Sequence, residues 1–280
     1  MATALKSTAN DAAPAHADEV LYAVADHIAT ITLNRPERMN TISGPMLNQL
    51  TTRLLEADAD REVRVVILTG TGRAFCAGLD LGEATRTDSP GGITGGAGVS
   101  TNLDLRNTPP TVLFNMGKPT ICALNGSAAG YGMDTALGCD IRLMAKGAKM
   151  AAAFTKRGIV PESGGTWFLP RLIGWSKAAE LIFTGRTLTA DECVAMGLAS
   201  AAVADADLAG AARSLALEIA ANAPLAVQAS KRMMRMGLGE SFDDHVHHVF
   251  LQLLPLLRTK DAMEGMRAFM EKRPAEFTGR

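Results

Sequence analysis

Two stretches of the chain run from a strand-like segment through glycine toward a helix-like one. Each would leave backbone N–H groups pointing at whatever lies beyond. The first is Ala74-Phe75-Cys76-Ala77-Gly78-Leu79-Asp80-Leu81, after the apolar run 63–69. The second is Asn125-Gly126-Ser127-Ala128-Ala129-Gly130-Tyr131-Gly132, after the run 119–124. At a helix start the N–H groups have no intrahelical acceptor, and the helix dipole favours negative charge. Two such turns converging on one point would make an oxyanion hole. Taken singly, a glycine turn after a strand is more often only a connection. Other catalytic devices are missing from the sequence: there is no GxxxxGK[ST], HExxH, GxSxG or GxGxxG. Gly130-Tyr131-Gly132 begins the last of these and lacks its third glycine.

Three further clusters invite chemistry and support less of it. Cys76 stands in the first turn, but no motif sets a base beside it, so it reads as a small packing residue. Cys76, Cys122, Cys139 and Cys193 form no CxxC pair, which speaks against a zinc ribbon and for free thiols. His245, His247 and His248 follow Asp243 and Asp244. On a helix two of these share a face, but with no third ligand nearby a polar surface is expected, not a metal centre. Residues 230–236 are basic and methionine-rich, which predicts a surface helix with a buried methionine edge rather than a nucleic-acid patch.

These residues need a scaffold, and the composition supplies one. Of 280 residues, 47% are hydrophobic and 20% charged, enough for a sizeable core. Twenty-eight basic residues balance 29 acidic ones, a poor footprint for nucleic acid or an anionic membrane. No apolar run has the length of a membrane span or of a secretory h-region, so a soluble cytoplasmic protein with a loose tail over 1–18 is expected. Residues 19–34 alternate as a hairpin turning at Ala25-Asp26-His27. From Ser43 a helical period sets in, with Ser43 as N-cap and Pro45 in the first turn. Strand, glycine, helix and strand then recur over 119–145. A Thr/Gly/Ser-rich stretch over 85–110 reads as a loop. After about 176 the strand signal almost vanishes, and helices are expected over 178–183, 190–197, 207–222, 224–238, 243–257 and 260–270.

AFCAGLDL, NGSAAGYG with the CDIR that follows, and GIVPESGGTWFLPRLIG resemble the crotonase (enoyl-CoA hydratase/isomerase) superfamily. TLNRPERMNTIS near the start and AFMEKRPAEF near the end fit it too, so the likeness spans nearly all of residues 20–277 in order. It implies an α/β fold: a crotonase-like spiral of β-β-α units over 19–205. An all-helical C-terminal oligomerisation region over 206–280 would build trimers, often paired into hexamers. It implies an acyl-CoA thioester as substrate, as in fatty acid metabolism. Coenzyme A is then part of the substrate, with no separate cofactor or metal and no nucleic acid or membrane as partner.

By the same resemblance the thioester oxygen is held by the backbone N–H groups of Leu79 and Tyr131. Tyr131 departs from the small residue often found there. Hydratases of the family use two glutamates. Here the first position is Asp134 and the second, twenty residues later, is Phe154, which cannot move a proton. Glu162 follows eight residues on, where some Δ3,Δ2-enoyl-CoA isomerases carry a catalytic glutamate and dienoyl-CoA isomerases an aspartate. Coenzyme A contacts carry over to Arg38, Met39, Ala77 and Gly78, and, toward a neighbouring subunit, to Phe269 and Lys272. The expected activity is an enoyl-CoA isomerase that shuttles a proton through Glu162, Asp134 or both. A hydratase with an altered acid–base pair is the alternative. The rival of another class is a non-catalytic acyl-CoA- or RNA-binding relative.

Overall fold

The computed structural model describes residues 18–80 and 107–280. The expected tail lies outside the described residues up to 17, and so does the expected loop up to 106.

The chain opens with β1 (Val20–Ala25) and β2 (Ile28–Leu33), paired antiparallel. Asp26 and His27 turn the hairpin with φ of 50° and 63°. Two positive-φ residues in a two-residue loop match the right-handed twist of the flanking strands. Ser43 then caps α1 (Gly44–Ala59), its Oγ accepting from the Met46 N–H at 3.0 Å. Met46, Leu50, Leu54 and Ala57 recur at helical spacing on the buried face.

Beyond α1 the chain repeats one manoeuvre. A long strand runs through the middle of the molecule, the chain bends, and a short strand leaves at an angle into a second sheet. The pairs are β3 (Val65–Gly70) with β4 (Ala74–Cys76), β5 (Thr120–Leu124) with β6 (Ser127–Ala129), and β7 (Ile141–Ala145) with β8 (Lys149–Ala151). Each pair adds one strand to each sheet, beside the strand added before. With β9 (Thr187–Thr189) and β10 (Ala201–Val203), the sheets read β1-β2-β3-β5-β7-β10 and β4-β6-β8-β9. From β2 onward the larger sheet is parallel. Its inner strands are apolar on both faces, as a sheet covered on both sides requires.

Helices fill the returns: α2 (Pro109–Asn115), α3 (Tyr131–Gly138), α4 (Gly165–Ile173), α5 (Trp175–Thr184) and α6 (Ala190–Met196). This is the expected spiral of β-β-α units. The bends are stitched by a side chain: Asn125 Oδ1 accepts from Gly70 N–H at 3.0 Å, and Asn125 Nδ2 donates to the Gly72 carbonyl at 3.0 Å.

Two expectations need correction. Strands do not stop near 176, because β9 pairs antiparallel with β8 and β10 parallel with β7. Three-residue strands carry too little alternation to be read locally, and their partners define them. The methionine-rich segment is also turned differently than expected. It lies on α8 (Pro224–Met236), which follows α7 (Leu208–Ala220). Met234 is 75% exposed, while the inward edge is basic. Lys231 Nζ donates to the Lys118 carbonyl at 2.9 Å and pairs with Asp140 at 2.8 Å, and Arg235 donates to the Phe114 carbonyl at 2.7 Å. Long stems let these side chains cross the gap and deliver charge to carbonyls that no helix satisfies. The last helices, α9 (Phe242–Leu256) and α10 (Lys260–Glu271), bury little within the chain, and no residue of α9 is fully buried.

Candidate active site

The first glycine turn leaves β4 at Ala77 and is pinned by the loop after β2. Ala77 N–H donates to the Met39 carbonyl at 3.1 Å and Ile42 N–H to the Gly78 carbonyl at 2.8 Å. Asp80 N–H donates to the Ile42 carbonyl at 3.0 Å. These bonds form a parallel bridge between Ile42 and Leu79. Since Gly78 and Asp80 both face Ile42, the Leu79 N–H between them points to the opposite side. Gly78 has φ of +107°, which a side chain would strain.

The pinning loop is itself held by buried polar groups. Asn40, at φ 52°, accepts from the Arg35 N–H at 2.7 Å and donates to the carbonyls of Thr71 and Ala74 at 2.9 and 2.8 Å. The buried Asp80 carboxylate pairs with Arg35 at 3.4 Å and Arg38 at 3.7 Å. Sequence reading took Arg38 and Met39 from this loop and missed Asn40, Arg35 and Asp80. The signal for Asn40 was its type, because asparagine is among the few residues that tolerate positive φ.

The second turn ends at Gly130, whose N–H donates to the Ala151 carbonyl at 3.1 Å. Tyr131 is the first residue of α3, so its N–H has no acceptor inside the helix. A Cβ built on Gly78 would lie 3.8 Å from Tyr131 N, so the two turns meet. Neither the Leu79 nor the Tyr131 N–H has an acceptor among the described residues. The close approach depends on Gly132, where any Cβ would sit 2.3 Å from the Cys76 carbonyl oxygen. Cys76 braces the first turn, its thiol donating to the Gly78 carbonyl at 3.8 Å. Burial pushes that thiol up to about 12, which suits packing and not nucleophilic attack.

Asp134 stands one helical turn beyond Tyr131 and is fully buried, with no hydrogen-bond partner on either oxygen. Its Oδ1 would be 2.4 Å from a Cβ on Gly165, so the carboxyl lies against the turn that opens α4. Burial pushes its pKa up to about 7, and the nearby Glu162 carboxylate adds to the rise. Backbone N–H groups of Gly165 and Ser163 approach the carboxyl as donors and pull the value back down, from positions outside good hydrogen-bond geometry. Glu162 is exposed, and its Oε1 accepts from the Ser163 hydroxyl at 3.0 Å. Phe154 is buried, its ring 3.9 Å from where a Gly130 Cβ would be, and so lends the second turn an apolar wall. The phenol of Tyr131 is also buried without a partner.

A family model for enoyl-CoA hydratase/isomerase matches residues 24–280. The chain belongs to that family. It is 37% identical over 265 residues to the 1,2-epoxyphenylacetyl-CoA isomerase of Escherichia coli (strain K12), covering 93% of this chain and 98% of the relative. It is 34% identical over 262 residues to the (E)-benzylidenesuccinyl-CoA hydratase of Thauera aromatica, covering 93% and 99%. Among solved structures, the enoyl-CoA hydratase from Bacillus anthracis superposes with a TM-score of 0.85 at 33% identity, over 94% of this chain and 100% of that one. The crotonase fold and family read from the sequence therefore hold, and the relatives include both an isomerase and hydratases.

The structure brings Leu79, Tyr131, Asp134 and Glu162 into one neighbourhood, with Ala77, Gly78, Arg38 and Met39 on its first-turn side. Phe269 and Lys272 are not part of it within this chain. Phe269 is 86% exposed on α10, and Lys272, also exposed, closes that helix at φ 55°. Cavities of about 520 and 440 Å³ among the described residues lie elsewhere and include none of the four central residues. The histidine cluster makes no metal group among the described residues. Instead His245 and His248 each put Nδ1 at 3.0 Å from Glu240, tying the start of α9 to the segment after α8.

Proposed function

We propose that this family member is an enoyl-CoA isomerase of the Δ3,Δ2- or dienoyl type. Leu79 and Tyr131 N–H groups hold the thioester oxygen, and the carboxyls of Asp134 and Glu162 handle the proton. The observation that carries the reading is Asp134: a buried carboxyl raised to about 7, one turn beyond an oxyanion donor. A carboxyl poised there gives up or takes a proton at neutral pH with little cost either way. In a 3-enoyl thioester the carboxylate removes the C2 proton and electrons move onto the thioester oxygen. A proton is then delivered from a carboxyl to C4 as the double bond settles between C2 and C3, the carboxyl exchanging with solvent between the two steps. One or two carboxyls suffice for that transfer, and Phe154 keeps the neighbourhood apolar. Coenzyme A enters as part of the substrate and no further cofactor is invoked.

Arg38, Met39, Ala77 and Gly78 stand on the side from which the coenzyme would approach the first turn. Phe269 and Lys272 fit a neighbouring subunit's nucleotide, since the exposed apolar surface of α9 and α10, with Phe242, Phe250 and Leu251, suits a homotrimer or a hexamer built from two. A second reading, hydration, is favoured by one observation: Asp134 and Glu162 are close enough to couple electrostatically, and two carboxyls can position a water.

Proton NMR with trans-3-hexenoyl-CoA in D2O tests the choice. Isomerisation gives the 2-enoyl product with deuterium at C2 or C4, whereas 3-hydroxyacyl-CoA would establish hydration. Acyl-CoA binding without turnover of this or shorter enoyl thioesters would favour a non-catalytic member.

A further inference from the structure

A helix shorter than roughly 12 residues is marginal by itself, so its surroundings must fix where it points. α3 has eight residues, all of them buried. Its first residue, Tyr131, presents the N–H that meets the first glycine turn, and its fourth is Asp134. Near its start, Gly132 lies too close to the Cys76 carbonyl for any side chain. At its far end Gly138 lies against α2, where a Cβ would come within 2.9 Å of the Pro110 carbonyl oxygen. Both contacts set how closely neighbours approach, but neither grips the last turn. Arg142 does. It lies on β7 and is 6% exposed. Its Nη1 donates to the Cys139 carbonyl at 2.6 Å and reaches the Ala136 carbonyl at 3.5 Å, both at the end of α3. Its Nε donates to the Leu198 carbonyl at 2.5 Å, in the loop between α6 and β10. Among the described residues no carboxylate lies within ion-pair distance of it. Asp140, whose charge does reach it, is occupied by the N–H and hydroxyl of Thr120 and by Lys231. A buried cation without a paired anion is costly. Here the compensation is a rigid planar fork that serves diverging carbonyls, and a positive charge at the negative end of a helix dipole.

We propose that Arg142 is a positioning residue for the reaction: by tying the last turn of α3 to the Leu198 loop, it sets the direction in which the Tyr131 N–H meets the thioester oxygen. The two ends of α3 are about 12 Å apart at the rise of an α-helix. Arg142 therefore touches neither the substrate nor the donor and acts through the helix between them. A helix of two turns, packed on every side, passes a displaced last turn on to its first. This inference rests on the reading that the Tyr131 N–H holds the thioester oxygen. It extends the oxyanion hole from two backbone groups to the buried side chain that aims one of them.

The test is infrared difference spectroscopy of butyryl-CoA labelled with carbon-13 at the thioester carbonyl, bound to wild type, Arg142→Gln, Arg142→Lys and Gly138→Ala. Calorimetric Kd for the same thioester and kcat with trans-3-hexenoyl-CoA are measured beside it. Donors aimed at the oxygen polarise the carbonyl, so its stretch moves to lower frequency when wild type binds it. In Arg142→Gln that downshift shrinks and kcat falls by about tenfold, a part of the roughly hundredfold that outright loss of one oxyanion donor costs. Kd changes by no more than about twofold, since a misaimed donor matters most in the transition state. Arg142→Lys keeps the charge without the fork and recovers about half of the lost downshift. Gly138→Ala pushes the same turn away from Pro110 with Arg142 in place, and it reproduces the smaller downshift. If Arg142→Gln keeps the wild-type downshift and kcat, Arg142 serves stability alone and the inference is overturned. Where Arg142→Gln does not fold, the same result in both Arg142→Lys and Gly138→Ala overturns it. The downshift is read whether or not the hexenoyl thioester is turned over, so failure of the isomerase reading leaves this inference standing. Wild type that binds butyryl-CoA with no downshift overturns the oxyanion reading and this inference with it.

Discussion

The two sides of the site are built on opposite principles. On the first-turn side nearly every buried polar group is used: Asn40 bonds to three backbone groups, Asp80 faces two arginines, and even the Cys76 thiol is placed. On the α3 side Asp134 and the Tyr131 phenol are buried and bare. The first arrangement fixes a backbone so that one N–H points where charge will develop, and it costs no reorganisation at the moment of reaction. The second holds side chains buried without a well-formed hydrogen bond to the chain. Rigidity is invested where the site must not move, and unsatisfied polarity is stored where a proton must.

The sharpest way to break this contrast is at Asp134. Asp134→Asn keeps the volume and removes the proton carrier, and kcat should fall by about a thousandfold while acyl-CoA still binds. Wild-type kcat/KM should rise with pH through a midpoint near 7, and the variant should lose that limb. A stability trend of opposite sense follows. The folded state holds the Asp134 proton up to about 7, well above the ordinary value of 3.8 at which the unfolded chain releases it. Between those values the folded state binds the extra proton, so this contribution is fully present at the acid end and is lost as pH rises to about 7. Denaturant unfolding over that window should show the fall in wild type and a flatter profile in Asp134→Asn.

On the other side Asn40→Ala should cost about 3 kcal/mol of stability, roughly 1 for each of its three hydrogen bonds. Its kcat should drop with the loss of the turn, while the pH midpoint stays where it was. A shifted midpoint would mean that the two sides are not separable. The smallest effect is expected at Glu162→Gln, about a tenfold loss of kcat with binding retained, since Glu162 is exposed and Asp134 is not. A larger loss than that of Asp134→Asn would reverse the roles of the two carboxyls.

What the sequence disclosed follows the same division. The hairpin at Asp26-His27, the Ser43 cap and the two glycine turns were legible because each is decided by residues within a few positions of one another. The three-residue strands β9 and β10 were not, since partners distant in the chain define them. Lys231 and Arg235 looked like a solvated stripe because charge is normally exposed, and the open carbonyls of Leu113, Phe114 and Lys118, with the Asp140 carboxylate, draw them inward. Asp134 was legible as a position through the resemblance. That it would be buried without a well-formed hydrogen bond, against Gly165, depends on α3 and α4 meeting, which no local pattern reports.

The most direct measurement is a carbon-13 NMR titration of the protein labelled at the aspartate carboxyl carbons. One resonance is predicted to titrate with a midpoint near 7 and to be missing from Asp134→Asn. If every aspartate instead titrates in the ordinary range near 4, Asp134 is a solvated or partnered carboxylate, and it is not the site's poised proton carrier.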